Sequence, residues 1–319
     1  YLVLIHFLVY LFLNNNFYYI LFLKMSTDLN ASFNEQFMNI NTKLKKRFLR
    51  KPNISEATNE FLALAIQCEH SEQPSFAGHC YIGAAKCEAS AGNFLGEAKH
   101  YLTAARQFMK AEKKLAALKF YSPDRENLEA SIGCFLEAFN KYPEKSLIRT
   151  SILMELVNDL VSLNHKTEAE TYYVQLINMC QSKSMKIMCM RNLVNFQIDC
   201  GKFDIALETA NALCDCNNDI AEPFFTEIQV TRVLLSMLVD PQNELKTESL
   251  KQLCSDLLND VESTSIPFNA DLKLKLQSIM ISCAISDDNS LMTLAADANL
   301  LLTSTQSDLL DFIIKKIKS

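Results

Sequence analysis

Apolar residues recur along this chain with helical spacing, and prolines, glycines and asparagines cut the recurrence into segments. The first regular run is Leu29, Phe33, Phe37, Ile40, Leu44 and Phe48, with steps of 4, 4, 3, 4 and 4. It predicts one long amphipathic helix, with Ser26 and Thr27 as capping residues and Pro52 as its stop. Asn53 and Glu56 form a capping box for a second helix, whose inner stripe is Ala57, Phe61, Leu64, Ala65 and Cys68 and which Pro74 closes. Further helices are expected over about 75–91 and 94–120, then after Pro123 with Leu128, Ile132, Phe135 and Phe139 facing inward. Beyond Pro143 lie three more stripes: Leu153 to Leu163, Ala169 to Cys180, and Met185 to Phe196. Short polar turns separate these segments, so neighbouring helices should run antiparallel.

Three of the junctions share a pattern. Gly92-Asn93-Phe94 precedes Ala98 and Leu102; Asn164-His165-Lys166 precedes Ala169 and Tyr173; Gly201-Lys202-Phe203 precedes Ala206 and Ala210. A turn glycine, an aromatic two residues on and a small residue in the second helix resemble the tetratricopeptide family, in a degenerate form. The resemblance implies an all-α fold, a tetratricopeptide-like antiparallel helix-pair superhelix over residues 25–218. After Asn217 and Asn218 the pattern lapses. Pro223 opens an apolar helix through Phe225, Ile228, Leu235 and Leu238, and three or four further helices follow. Residues 222–319 are expected to form a C-terminal helical cap, because a solenoid needs a terminal unit over its last apolar face.

Composition supports helix: 49% of the 319 residues are hydrophobic, and only 6 Gly and 7 Pro supply turns. Residues 1–24 stand apart. Their Leu, Phe, Tyr, Ile and Asn invite a membrane-span or signal-peptide reading, but Asn14, Asn15 and Asn16 interrupt the run, and neither leading basic residues nor a small-residue cleavage site accompanies it. We read this segment as a translated leader outside the working protein, which then starts at Met25 and needs no membrane insertion. The net charge of −6 gives no general case for wrapping nucleic acid. Eleven cysteines scattered through apolar stripes read as free, buried thiols of a reducing compartment.

Chemistry-bearing patterns are sparse. Cys214 and Cys216 form the only close cysteine pair, with no second pair nearby for zinc. No phosphate-cradling glycine loop, nucleophile elbow or His-Glu-x-x-His helix occurs, so neither an enzyme nor a cofactor is expected. Two features rise above this background. The run Lys43, Lys45, Lys46, Arg47, Arg50 and Lys51 puts residues 43, 46, 47 and 50 on one helix face. It reads either as a solvated face whose cations favour a helix C-terminus, or as a docking surface for an acidic protein. Arg232, a lone cation within Gln229 to Leu235, reads either as an internally paired or snorkelling side chain, or as half of an ion pair across an interface.

The stretch Lys43 to Asn53, with Glu56, Ala57 and Phe61, resembles the N-terminal segment of the 40-kDa huntingtin-associated protein family, also known as the factor VIII intron 22 protein family. Arg232-Val233-Leu234-Leu235 ahead of Asp240-Pro241, and Leu302-Thr303 with Gln306, Leu309 and Leu310, are weaker collinear matches. The resemblance implies a non-catalytic partner that lies between the helical-repeat domains of huntingtin, and in such a partner Lys45 to Lys51 would help to set register. It also implies a link to Rab5-dependent early endosome motility. Cytoplasmic residence is expected with it, with early endosomes and the nucleus as further locations. Where vertebrate members carry a proline-rich insert this chain has only Cys216 to Glu222, so functions of that insert do not carry over. Two other readings stay open: a vesicle-trafficking adaptor resembling the soluble attachment proteins of membrane fusion, and a metal- or thiol-dependent enzyme.

Overall fold

A computed structural model describes residues 32–45, 53–215, 222–239, 246–259 and 268–318. Among the described residues the chain is all-helical, with fourteen helices and no strand. They are α1 (32–44), α2 (Ile54–His70), α3 (Pro74–Ala91), α4 (Phe94–Ala117), α5 (Glu126–Lys141), α6 (Leu147–Ser162), α7 (Lys166–Met179), α8 (Lys183–Asp199), α9 (Phe203–Cys214), α10 (Glu222–Leu238), α11 (Glu248–Leu258), α12 (Ala270–Ala284), α13 (Asp288–Ala298) and α14 (Ser304–Lys318). Residues 1–24, the expected leader, lie outside the described residues.

Asn53 caps α2 as its sequence position suggests. Its side-chain oxygen accepts from the Glu56 N–H at 3.2 Å, and its amide donates to the Glu56 carboxylate at 3.0 Å. Pro74, expected to close α2, instead occupies the first turn of α3. The missing N–H of proline costs nothing there, because the first helical N–H groups have no partner within the helix anyway.

The most regular feature is the link between helices. Glu72, Gly92, Asn164, Gly201 and Ser286 all take left-handed backbone conformations, with φ of 54°, 77°, 61°, 71° and 55°. At each, the left-handed residue donates its N–H to the carbonyl three residues back and the next residue donates to the carbonyl five back, at 2.8 to 3.2 Å. That next residue, Gln73, Asn93, His165, Lys202 or Asp287, is already the N-cap of the following helix. The chain therefore ends one helix and starts the next within a few residues, five times in the same way.

The helices gather into two compact units, dividing between Asp159 and Leu160 within α6. In the first, α3 packs on both α2 and α4, and α4 on α5. Close approach is possible because α3 is lined with Ala77, Gly78, Cys80, Gly83, Ala84 and Ala85. A methyl group added at Gly78 would meet the Phe108 ring of α4 at 2.8 Å, and one at Gly83 would meet the Phe61 ring of α2 at 2.8 Å. Both rings are fully buried and have nowhere to go.

In the second unit, Val194, Ile198, Ala206, Leu207 and Ala210 share one core with Val230, Leu234 and Leu235 and with Leu272, Leu276, Leu291, Leu309 and Leu310. Apolar residues on both sides of 218–222, where the helical cap was expected to begin, fill the same interior. Thr303 and Gln306 form a capping box at the start of α14, with bonds of 3.0 and 3.3 Å. The Gln306 amide then donates to the Glu227 carbonyl at 2.9 Å and to the Thr231 hydroxyl at 3.1 Å, tying α14 to α10.

Candidate partner-binding surface

Of the basic run, Lys43 and Lys45 lie within the described residues and are exposed at the end of α1; Lys46, Arg47, Arg50 and Lys51 lie outside them. The Lys43 ammonium donates to the Glu60 carboxylate of α2 at 2.5 Å. That hydrogen bond, aided by the charges of Glu60 and Glu56, raises the Lys43 pKa. The neighbouring Leu44 is half-buried against the core built by Phe33, Phe61 and Leu64, so the cations border a packed edge.

Arg232 is placed quite differently. It is 2% exposed, and its guanidinium donates to Asn211 of α9 at 2.8 Å, Gln229 at 2.8 Å, Thr247 at 3.1 Å and Ser249 at 3.0 Å. The surface ion pair considered for this residue has no exposed face on which to form; the internal pairing is what the fold contains. Each of these acceptors is neutral, so the cost of burying the charge is met by hydrogen bonds rather than by a counter-charge. Thr247, the N-cap of α11, makes no side-chain cap to its own helix and spends its hydroxyl on Arg232 instead. Arg232 therefore fixes the start of α11 against α9 and α10.

Elsewhere the surface carries exposed apolar side chains and a row of cations on α4. Leu118, Phe120 and Tyr121, just past α4, are exposed by 71%, 68% and 79%. Phe94 and Leu95 at the start of α4 and Leu274, Ile281 and Ile285 along α12 are also exposed. On α4, Arg106, Lys110, Lys113 and Lys114 stand at helical spacing. Sequence reading did not single these out, although the i, i+4, i+7, i+8 spacing was visible.

Among the described residues no three His, Cys, Asp or Glu side chains gather as a metal site requires. Burial pushes the Cys134 and Cys189 thiols up to about 12 and the Cys283 thiol up to about 11. Such groups stay protonated near neutrality and are weak nucleophiles. No described helix is long and apolar enough to cross a membrane.

The described residues form an all-helical protein of tightly linked helices with several large apolar side chains exposed. No family model matches the chain. Over 82 residues it is 38% identical to the 40-kDa huntingtin-associated protein of Rattus norvegicus, and to the same degree to that of Mus musculus. The match takes in 26% of this chain and spans 22% of the length of each of these relatives.

Proposed function

We propose that this chain is a non-catalytic binding partner of huntingtin. The observation that carries the reading is the 38% identity over 82 residues to two proteins named for their association with huntingtin. In the finer form of the proposal the helix pairs build a tetratricopeptide-like superhelix with a C-terminal helical cap, which fills space between helical-repeat domains of the partner and stabilises their arrangement. The five matching links between helices support this, because repeated tight turns are what stacks helix pairs in register. Exposed aromatic and aliphatic side chains such as Phe94, Phe120 and Tyr121 supply contact area, and Lys45 to Lys51 contribute register. The protonated, buried thiols fit a protein whose work is contact rather than reaction. Cytoplasmic residence and a connection to Rab5-dependent early endosome motility belong to the same proposal.

The test is co-purification. The full chain, tagged at one end and expressed in cells of its source, should bring down huntingtin at near-stoichiometric amounts, and GTP-loaded Rab5 should join the complex. Absence of huntingtin from the purified material, with the chain folded and abundant, would overturn the reading. Retention of huntingtin without Rab5 would remove only the endosomal part.

A further inference from the structure

The outer face of α4 forms one wall of an open groove of about 500 Å³, with α6 opposite. Met109, itself 2% exposed, and the exposed Ala117 line it, and Arg106, Lys110, Lys113 and Lys114 stand along it. Three of these cations are engaged. Arg106 forks onto Glu155 at 2.6 and 2.8 Å, Lys113 pairs with Asp159, and Lys114 reaches the Glu72 carboxylate at 3.0 Å and its carbonyl at 3.2 Å. Lys110 makes no hydrogen bond or ion pair among the described residues. From Arg106 to Lys119 the one acidic residue is Glu112, which is buried. In a chain of net charge −6 this stretch of α4 is locally basic, with Glu155 and Asp159 of α6 facing it.

We propose that this groove docks an acidic amphipathic segment of a partner protein. The inference rests on the reading of the chain as a partner-holding protein and names the chemistry of one partner segment. Carboxylates of the segment meet Lys110 first and then share Lys114, whose present partner Glu72 is a surface carboxylate. Exposed pairs of that kind are worth about 0–1 kcal/mol and exchange readily. Apolar side chains of the segment lie along Ala117 and the aliphatic stems of Arg106, Lys110, Lys113 and Lys114, and the exposed Leu118, Phe120 and Tyr121 follow in sequence. A groove whose lining combines aliphatic surface with a charged rim is the arrangement by which an amphipathic helix is read, with apolar anchors below and charges along the edge.

The experiment uses the full chain and a fluorescent helical peptide of Glu and Leu at amphipathic spacing, with a second peptide carrying Gln for every Glu. The Glu peptide should bind at least about tenfold more tightly than the Gln peptide, and should weaken as salt rises. Lys110→Glu with Lys113→Glu should weaken it by about tenfold or more, whereas a single charge reversal elsewhere on α4, Lys99→Glu, should leave it within about twofold. Lys110→Gln gives the same direction if the double variant loses helicity by circular dichroism. Equal affinity for the two peptides, no binding by the native chain, or unchanged binding by a folded double variant would overturn the proposal. So would capture of phosphatidylserine vesicles through these lysines when the Glu peptide is not bound. Peptide failure with huntingtin still co-purified removes the groove alone; loss of huntingtin with peptide binding retained removes the huntingtin reading and supports the groove.

Discussion

At the scale of single residues, two positions make opposite demands on space and polarity. Gly78 faces the buried Phe108 ring so closely that any side chain overpacks the α3–α4 contact. Gly78→Ala should lower stability by about 1–3 kcal/mol, read as a shift in the denaturant midpoint; an unchanged midpoint would mean that Phe108 has room to yield. Arg232 makes a polar demand. Arg232→Met strands the buried oxygens of Asn211 and Gln229, at about 1–3 kcal/mol for each acceptor left without a donor. Arg232→Lys should recover little, because one ammonium cannot reach acceptors on α9, α10 and the start of α11 together. Denaturation of the three proteins checks both statements, and partner affinity per folded molecule should not change in either variant. Neither demand was legible in the sequence. A glycine inside a helical stripe looks like a small neutral residue, and a lone arginine among leucines carries no mark of how many neutral oxygens surround it.

At the scale of the element, much was legible, and the reason is local chemistry. The stripe of α2 and its Asn53 cap involve residues a few positions apart, which is where sequence carries information about hydrogen bonds. Links at Gly92 and Gly201 could be read because glycine enters the left-handed region at little cost, and Asn164 because asparagine tolerates it. Glu72 and Ser286 adopt the same geometry without any such signature, so two of the five links were invisible. Pro74 was read as an ending when it is a beginning; proline marks a boundary without saying on which side the helix lies. The geometry gives a test. Gly201→Ala should cost about 1 kcal/mol by thermal or chemical unfolding, while Ser286→Gly, which relieves a left-handed serine, should move the midpoint upward. A neutral Gly201→Ala would mean that the α8–α9 link does not depend on its left-handed turn. The α4 groove was half-legible: the spacing of its lysines is in the sequence, but the floor beneath them and the carboxylates of α6 come from packing.

At the scale of the whole molecule, the eleven cysteines and the charge of −6 bear on behaviour in solution. The ten described cysteines are all free thiols, and Cys80, Cys134 and Cys189 are buried. With burial holding Cys134 and Cys189 near 12, iodoacetamide at neutral pH should leave them unmodified in the native chain and label them fully in denaturant. Peptide mass spectrometry reads the difference, and rapid native labelling of Cys134 would show that α5 opens far more often than its packing implies. The helix order also has a consequence in time. Helices α2, α3 and α4 pack on their immediate neighbours, so each can settle as it leaves the ribosome. Helix α10 packs on α9 but also on α14: its Glu227 carbonyl and Thr231 hydroxyl, bonded to each other within the helix, each accept a further bond from Gln306, more than seventy residues downstream. Until α14 has been synthesised, α10 exposes an unfinished polar and apolar face, and during that interval the nascent second unit is the part of the chain that most needs a chaperone's protection.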